Sequence, residues 1–356
     1  MQNSDRTSVF PATYTVLSSD ALVSQVVARY DVGEVRWCRL HHPGMTDTYL
    51  LDTASGRYVL RGYRTGRRTD ADVRYEIDAL LHLHRAGVPV ARPLADRDGT
   101  FMQVVQAPEG PRQIVLFAYA AGVPNGEPPH RARSDYRYLY GRAVATVHAA
   151  TDGFTSPHRR FAIDLAELID RPMHHIRPLV EHRTEQWQYL VGLSRALHER
   201  AEQLPLAALE TGFCHGDFNG GNCHVEGDVL TLFDFDCCGP GWRAYDLAVF
   251  LWNDVLGGRP RNVAARSWRE FLRGYREVRP IARADLEAVP LFVASRQIWM
   301  LGQLAANASD WGHSGLGVRY LTRVLKILRD WEHGRLTRPV PRSWSASAAP
   351  PRPAAA

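Results

Sequence analysis

The sequence predicts an α+β protein of two lobes, the first rich in β-strands and the second mostly helical. Three observations predict it. Residues 34–119 break into five short alternating segments with one helical stretch among them. From residue 134 onward the apolar residues recur at helical spacing. Between those helices, a polar, glycine-rich run fits neither period: Cys214-His215-Gly216-Asp217-Phe218-Asn219-Gly220-Gly221-Asn222-Cys223, then Leu232-Phe233-Asp234-Phe235-Asp236.

In chain order, Ser19 reads as an N-cap, with Leu22, Val23, Val26, Val27 and Tyr30 making one apolar helical face. Residues 34–40, 47–52 and 57–63 read as strands, with Ala54-Ser55-Gly56 turning the second into the third. His41-His42-Pro43-Gly44-Met45-Thr46 joins the first two. Residues 69–86 read as a helix whose inward stripe is Val73, Ile77, Leu80 and Leu81, and Glu76 falls on that stripe. A buried carboxylate needs a cationic partner, and Arg61 on the third strand is the candidate. Strand alternation alone also permits Arg61 to be a surface residue. Gly87 and Pro89 end the helix, and strands follow at 100–106 and 112–119 around the turn Pro108-Glu109-Gly110-Pro111. The helical stretches after that are 134–150, 161–170, 181–203, 244–255, 263–278, 284–306 (interrupted by Pro290) and 318–333. His148, at the end of the first, reads as a core or cap histidine.

The polar run has a chemistry of its own. Asp217 and Asn222 stand five apart on a loop, with two glycines between them. Residues 225–226 and 229–233 read as short strands joined by a tight turn at Gly227-Asp228, which folds Asp234 back beside Asn222. One carboxylate is left as a base, while an amide and a second carboxylate stand as hard oxygen ligands. Such ligands suit Mg²⁺, which completes its shell with waters and phosphates. Phosphoryl transfer needs these parts.

At these residues the chain resembles the aminoglycoside phosphotransferase/choline kinase family, relatives of the protein kinases. The family pattern is His-Gly-Asp, four residues, Asn, then an Asp closing a short hairpin, and all of it is present. Protein kinases keep the same Asp-to-Asn spacing with His-Arg-Asp in place of His-Gly-Asp. Ala244-Tyr245-Asp246-Leu247-Ala248 resembles the family segment that opens the next helix. The resemblance spans residues 30–335 in element order and is motif-specific over 214–248.

The resemblance implies a bilobal protein-kinase-like fold, with a nucleotide-binding lobe over 1–118, a hinge and helical lobe over 119–336, and a disordered tail over 337–356. It implies ATP-dependent phosphorylation of a hydroxyl on a small molecule, with ATP and Mg²⁺ as cofactors. Asp217 is then the base, Asn222 and Asp234 the metal ligands, and Arg61, positioned by Glu76, the phosphate-binding cation. Relatives carry a lysine there, whereas the single lysine of this chain, Lys326, lies in a C-terminal helix. Phe117 and Tyr119 fall in the family's hinge, where adenine binds. The 41–46 turn covers the phosphates in that picture, and as residues alone is equally a plain hairpin loop. His215 and Asp246 brace the loop; Asp236 touches metal or caps a turn. No Asp-Phe-Gly and no Ala-Pro-Glu follow, so a small-molecule kinase is expected rather than a protein kinase. Amino alcohols, amino acids and aminoglycosides stay open as acceptors, with Trp187, Trp299, Asp310 and Trp311 as candidate lining. The arginine-for-lysine change supports one alternative, a catalytically inactive nucleotide- or metabolite-binding module of the same fold.

Composition excludes other classes. A chain of 356 residues with 23% charged side chains is ordinary for a soluble globular protein. No apolar run reaches membrane-spanning length and the start has no signal-peptide order, so a cytoplasmic protein without membrane contact is expected. Five cysteines suit reduced thiols, and the Cys214–Cys238 cluster lacks zinc-ligand spacing. The net charge of +5 includes Arg338, Arg342 and Arg352 in the tail. The densest basic cluster, Arg61, Arg64, Arg67 and Arg68, holds only Tyr63 as an aromatic, so no nucleic-acid partner is expected. Nothing in the sequence sets an oligomeric state.

Overall fold

The computed structural model describes residues 10–124, 135–257, 259–312 and 316–336. The expected tail at 337–356 lies outside the described residues, as does Ser134. No described helix is long and apolar enough to cross a membrane. The chain divides into two compact units.

The first unit takes in residues up to 84, then 90–120 and 156–159. Helix α1 (Ser19–Gln25) is capped by Ser18, whose Oγ accepts the Ala21 N–H at 3.3 Å. The expected cap was Ser19, one residue on; Ser18 is the residue with extended backbone angles, which a cap requires. Strands β1 (Val35–His42), β2 (Thr46–Thr53), β3 (Gly56–Tyr63), β4 (Met102–Ala107) and β5 (Gly110–Ala118) form one antiparallel sheet in the order β1-β2-β3-β5-β4. His41 and His42 extend β1 and Thr46 opens β2, so the expected six-residue turn contracts to 43–45. Leu22, Val26, Val27 and Tyr30 pack on Tyr49, Leu51, Leu60, Ile114 and Leu116, which builds the core on that face.

Helix α2 (Asp70–Arg85) starts with a reciprocal cap. The Thr69 N–H donates to Asp72 Oδ2 at 2.9 Å, and the Asp72 N–H donates to Thr69 Oγ1 at 3.1 Å. Its buried face holds Val73, Glu76, Ile77, Leu80 and Leu83. A second buried ionic group went unforeseen: Arg112, fully buried, meets Asp47 at 2.6 Å, and Tyr14 Oη donates to the same carboxylate at 2.9 Å.

The second unit takes in 85–89, 121–155 and the described residues from 160. After β6 (Val123–Pro124) come α3 (Tyr136–Ala150), α4 (Arg171–Val180), α5 (Thr184–Gln203) and β7 (Thr211–Cys214). Then follow β8 (Cys223–Glu226), β9 (Val229–Leu232), β10 (Gly239–Trp242), α6 (Arg243–Leu256) and α7 (Arg261–Val278). Helices α8 (Arg283–Ala306), α9 (Ala308–Trp311) and α10 (Val318–Trp331) close the described chain. Small sheets β6-β8-β9 and β10-β7 carry the polar run.

Three expectations are corrected. The helix expected at 161–170 starts only at 165, and its π-helical turn Ala166–Asp170 runs straight on into α4; the preceding segment instead joins a strand edge, where the Ile163 N–H donates to Pro240 O at 2.7 Å. Helix α4 was not foreseen, since Pro172 and Pro178 argue against one; its buried face of Pro172, Ile176 and Val180, with Pro172 seated against Gly302 of α8, outweighs the hydrogen bonds the prolines forgo. Pro290 does not interrupt α8. The helix runs through it with Leu286, Val289, Phe292 and Val293 all buried, and Pro290 O accepts Trp331 Nε1–H at 3.1 Å. Burial on every side outweighs the local loss of a hydrogen bond.

Helices α3 and α7 cross backbone to backbone at Gly141 and Gly274. A Cβ on Gly274 would strike the Tyr138 carbonyl oxygen, whereas one on Gly192 of α5 meets nothing within 4 Å. Gly274→Ala is therefore expected to destabilise the protein by about 2 kcal/mol through overpacking. Gly192→Ala should be neutral or stabilising by about 0.5 kcal/mol, by helix propensity. Denaturant unfolding of the two variants checks this; equal effects would refute the tight crossing.

Candidate active site

The loop between β7 and β8 is held by Asp246, in the first turn of α6. Its Oδ2 accepts the His215 N–H and its Oδ1 the Gly216 N–H, both at 2.8 Å. Behind it, His148 reaches Asp246 through Nε2 at 3.1 Å and Tyr275 Oη through Nδ1 at 2.8 Å. Gly216 has φ of +79° and lies against the Cys237 carbonyl, so a side chain is barred twice over. The His215 ring lies near Phe218 and Phe235, with centroids at 4.2 and 4.3 Å. It accepts the Asp217 N–H at Nδ1 (3.2 Å) and donates from Nε2 to Phe233 O (3.1 Å). Burial pushes His148 and His215 below the usual histidine range, so both rings are neutral braces. The expected bracing roles of His215 and Asp246 are visible in these bonds.

On this platform Asp217 is held on both oxygens. Oδ2 accepts from Asn222 Nδ2 at 3.0 Å and from Asn219 Nδ2 at 3.3 Å. Oδ1 is ion-paired with Arg296 Nη2, and the carboxylate side chain keeps 19% exposure. Burial pushes the Asp217 carboxyl above the usual range, the Arg296 guanidinium and the Asn222 amide work against that, and the charge of Asp236 adds to it. Arg296, on α8, went unforeseen. Its Nη1 also donates to Gly216 O at 3.0 Å and Tyr245 Oη at 3.3 Å. A signal for it existed: it is an arginine inside the buried run Leu291-Phe292-Val293-Ala294-Ser295-Arg296-Gln297-Ile298, the same logic that singled out Glu76.

Asn222 donates Nδ2 to the Asp217 carbonyl at 3.0 Å as well, so its amide oxygen is the atom of that side chain able to ligate a cation. The Phe233 N–H donates to Asn222 O at 3.1 Å and closes the β8–β9 hairpin, so Asp234 follows directly on that pair. Asp234 has φ of +67°, the one non-glycine residue with positive φ among the described residues. Backbone strain of this kind collects at functional sites. An amide oxygen and a carboxylate are a donor set that fits Mg²⁺, which needs few protein ligands. Asp236, 4% exposed, lies in the short turn Phe235–Cys237, and its carbonyl accepts from Arg160.

In the first unit, Arg61 Nη1 lies 3.7 Å from Glu76 Oε1, so the sequence-inferred pair forms. Arg61 Nε and Nη2 also donate to Thr46 Oγ1, at 3.2 and 2.5 Å, and Tyr63 Oη donates to Glu76 Oε2 at 2.9 Å. Arg61 is 8% exposed, which rules out the surface-strand alternative. Phe117 is buried at the end of β5, where Leu116 O and the Ala118 N–H pair with Leu94 and Arg92; Tyr119 is half-buried just beyond.

A protein-family model described as "Phosphotransferase enzyme family" matches residues 37–281. The chain belongs to that family. It is 39% identical to an uncharacterised protein of Deinococcus radiodurans over 91% of this chain and 94% of the relative. It is 30% identical to a homoserine kinase of Rhodospirillum rubrum over 79% of this chain and 83% of that enzyme. Among solved structures, an amicoumacin kinase in complex with AMP-PNP and Ca²⁺ superposes with a TM-score of 0.73 at 19% identity, covering 90% of this chain and 95% of that one. The fold of the chain is thus the protein-kinase-like fold the sequence predicts.

Proposed function

We propose that this protein moves the γ-phosphoryl group of ATP to a hydroxyl of a small molecule, with Asp217 as base. The observation that carries the reading is the Asp217 carboxylate, partly exposed yet fixed on both oxygens beside an amide oriented to ligate metal. Because Oδ2 already takes two amide donors, the acceptor hydroxyl meets Oδ1, which retains a lone pair beside Arg296. The hydroxyl oxygen forms the new bond to γ-phosphorus, the bond from phosphorus to the ADP oxygen breaks, and the hydroxyl proton passes to Asp217. The products are a phosphomonoester and ADP.

Asn222 and Asp234 would hold Mg²⁺, which supplies positive charge to the phosphate oxygens when bound. Arg61, oriented by Glu76 and Thr46, adds a second cation for the phosphates, and Phe117 and Tyr119 flank the adenine. The AMP-PNP and Ca²⁺ named with the amicoumacin kinase support a nucleotide with a divalent metal. The homoserine kinases among the relatives support a small hydroxylated acceptor.

The direct test is ADP release with MgATP against a panel of amino alcohols, hydroxy acids, amino acids and aminoglycosides. Acceptor-dependent turnover is the expected result; none with any acceptor, despite nucleotide binding, favours the inactive-module alternative. Asp234→Asn isolates the metal. Asparagine tolerates the left-handed backbone at this position but removes the charge. The variant is expected to need at least about tenfold more Mg²⁺ for half-maximal nucleotide binding. An unchanged Mg²⁺ titration would sink the assignment of Asp234.

A further inference from the structure

Helix α3 grips the middle of the loop between β7 and β8 through two hydroxyls. Tyr136 and Tyr140 stand four apart, so their rings share one face of the helix, with centroids at 5.7 Å. Tyr140 is fully buried, and its Oη accepts the Gly220 N–H at 3.2 Å. Tyr136 Oη donates to the carbonyl oxygen of the same glycine. That bond uses the one proton of the Tyr136 hydroxyl. The Cys223 thiol, 3.1 Å from the same Oη and 1% exposed, is therefore the donor in the second contact.

Gly220 has φ of +86°, and Gly221 follows it. Adjacent glycines are the most pliable backbone a chain can have, since neither carries a Cβ to narrow its angles. Here they lie between Asp217 and Asn222, the base and the metal-ligating amide. The two hydroxyls hold the peptide groups on both sides of the Gly220 Cα. Tyr136 does more, because its partners at 220 and 223 bracket Asn222. The Tyr140 ring is set in turn by Phe250 and Phe218, with centroids at 5.6 and 6.1 Å. Resting on the phosphotransfer reading above, we infer that Tyr136 and Tyr140 are positioning residues: they lock the glycine pair, so that the Asn222 amide oxygen stays in place to ligate metal beside Asp217.

Tyr136→Phe removes one oxygen and keeps the ring. Two readouts on the whole protein need no turnover. Labelling of Cys223 by a maleimide, followed by peptide mass mapping, is expected to run at least about fivefold faster in the variant, because the loop opens more often. The Mg²⁺ concentration for half-maximal ADP binding is expected to rise at least about fivefold. In turnover, kcat should fall about tenfold at low Mg²⁺ and recover in part at high Mg²⁺, which a loss of packing alone would not do. Tyr140→Phe frees only the Gly220 N–H and should move each readout the same way by less. Tyr138→Phe is the control: its hydroxyl donates to Glu277 of α7, and all three readouts should keep their wild-type values. Either binding or labelling unchanged in Tyr136→Phe, or equal changes in Tyr138→Phe, overturns the inference. If Tyr136→Phe fails to fold, Tyr140→Phe decides by the same readouts. Faster labelling with a raised Mg²⁺ requirement, but no phosphorylation of any acceptor by the wild type, would instead count against the phosphotransfer reading and leave the clamp standing.

Discussion

Asp217→Asn is expected to lower kcat at least about 100-fold while leaving MgATP affinity within about threefold, since a base acts in the chemical step and not in nucleotide binding. The surroundings sharpen the expectation. The variant keeps an oxygen for the Arg296 guanidinium but removes the countercharge of a buried cation, so a fall in thermal midpoint should accompany the loss of rate. It also sets an amide nitrogen against Asn222 Nδ2 and Asn219 Nδ2, the two donors that now meet Oδ2. Nucleotide titration and single-turnover rates, measured on protein shown to be folded, separate these effects. A variant that retains a tenth or more of the rate would remove Asp217 as the base.

Arg61→Ala should be the next most damaging change, in activity and in stability. Glu76 is 1% exposed, and its carboxylate faces Arg61 at 3.7 Å. Removing one partner of a buried pair costs about 3 kcal/mol, because the other charge loses its compensation. Arg61→Lys restores a charge but not the fork that holds Thr46 Oγ1 through two nitrogens, so it should recover part of the activity and most of the stability. Glu76→Ala should resemble Arg61→Ala, and the double variant should be little worse than either alone. The cycle is read in kcat/KM for ATP and in unfolding free energy. Additive losses would mean that the two residues act independently and that Glu76 does not position Arg61.

Local pattern carried much of the architecture. Alternation over 34–119 placed all five strands of the first sheet, and helical spacing placed α2, α3, α6, α7 and α10 within a few residues. Its misses have one kind of cause. Ile163 pairs with a strand some eighty positions later, and α4 and the unbroken α8 form despite prolines whose cost packing overrides. Contacts far along the chain decide such cases, and no window on the sequence contains them.

The candidate site divides the same way. The sequence by itself determined that Asp217, Asn222 and Asp234 share one loop and hairpin, because the spacing and the Gly227-Asp228 turn are local chemistry. It also determined that Glu76 needed a cation, because a charge on an apolar helix face cannot stay uncompensated. Only the tertiary structure decided which residues surround Asp217. Arg296 stands 79 positions away on α8, and the pairing depends on how α6 and α8 pack around Tyr245 and Trp252. A buried arginine announces that it needs an anion, but carboxylates are many and the sequence does not rank them. Three-dimensional proximity does, because electrostatic attraction and hydrogen bonding fall off within a few ångströms whatever the separation along the chain.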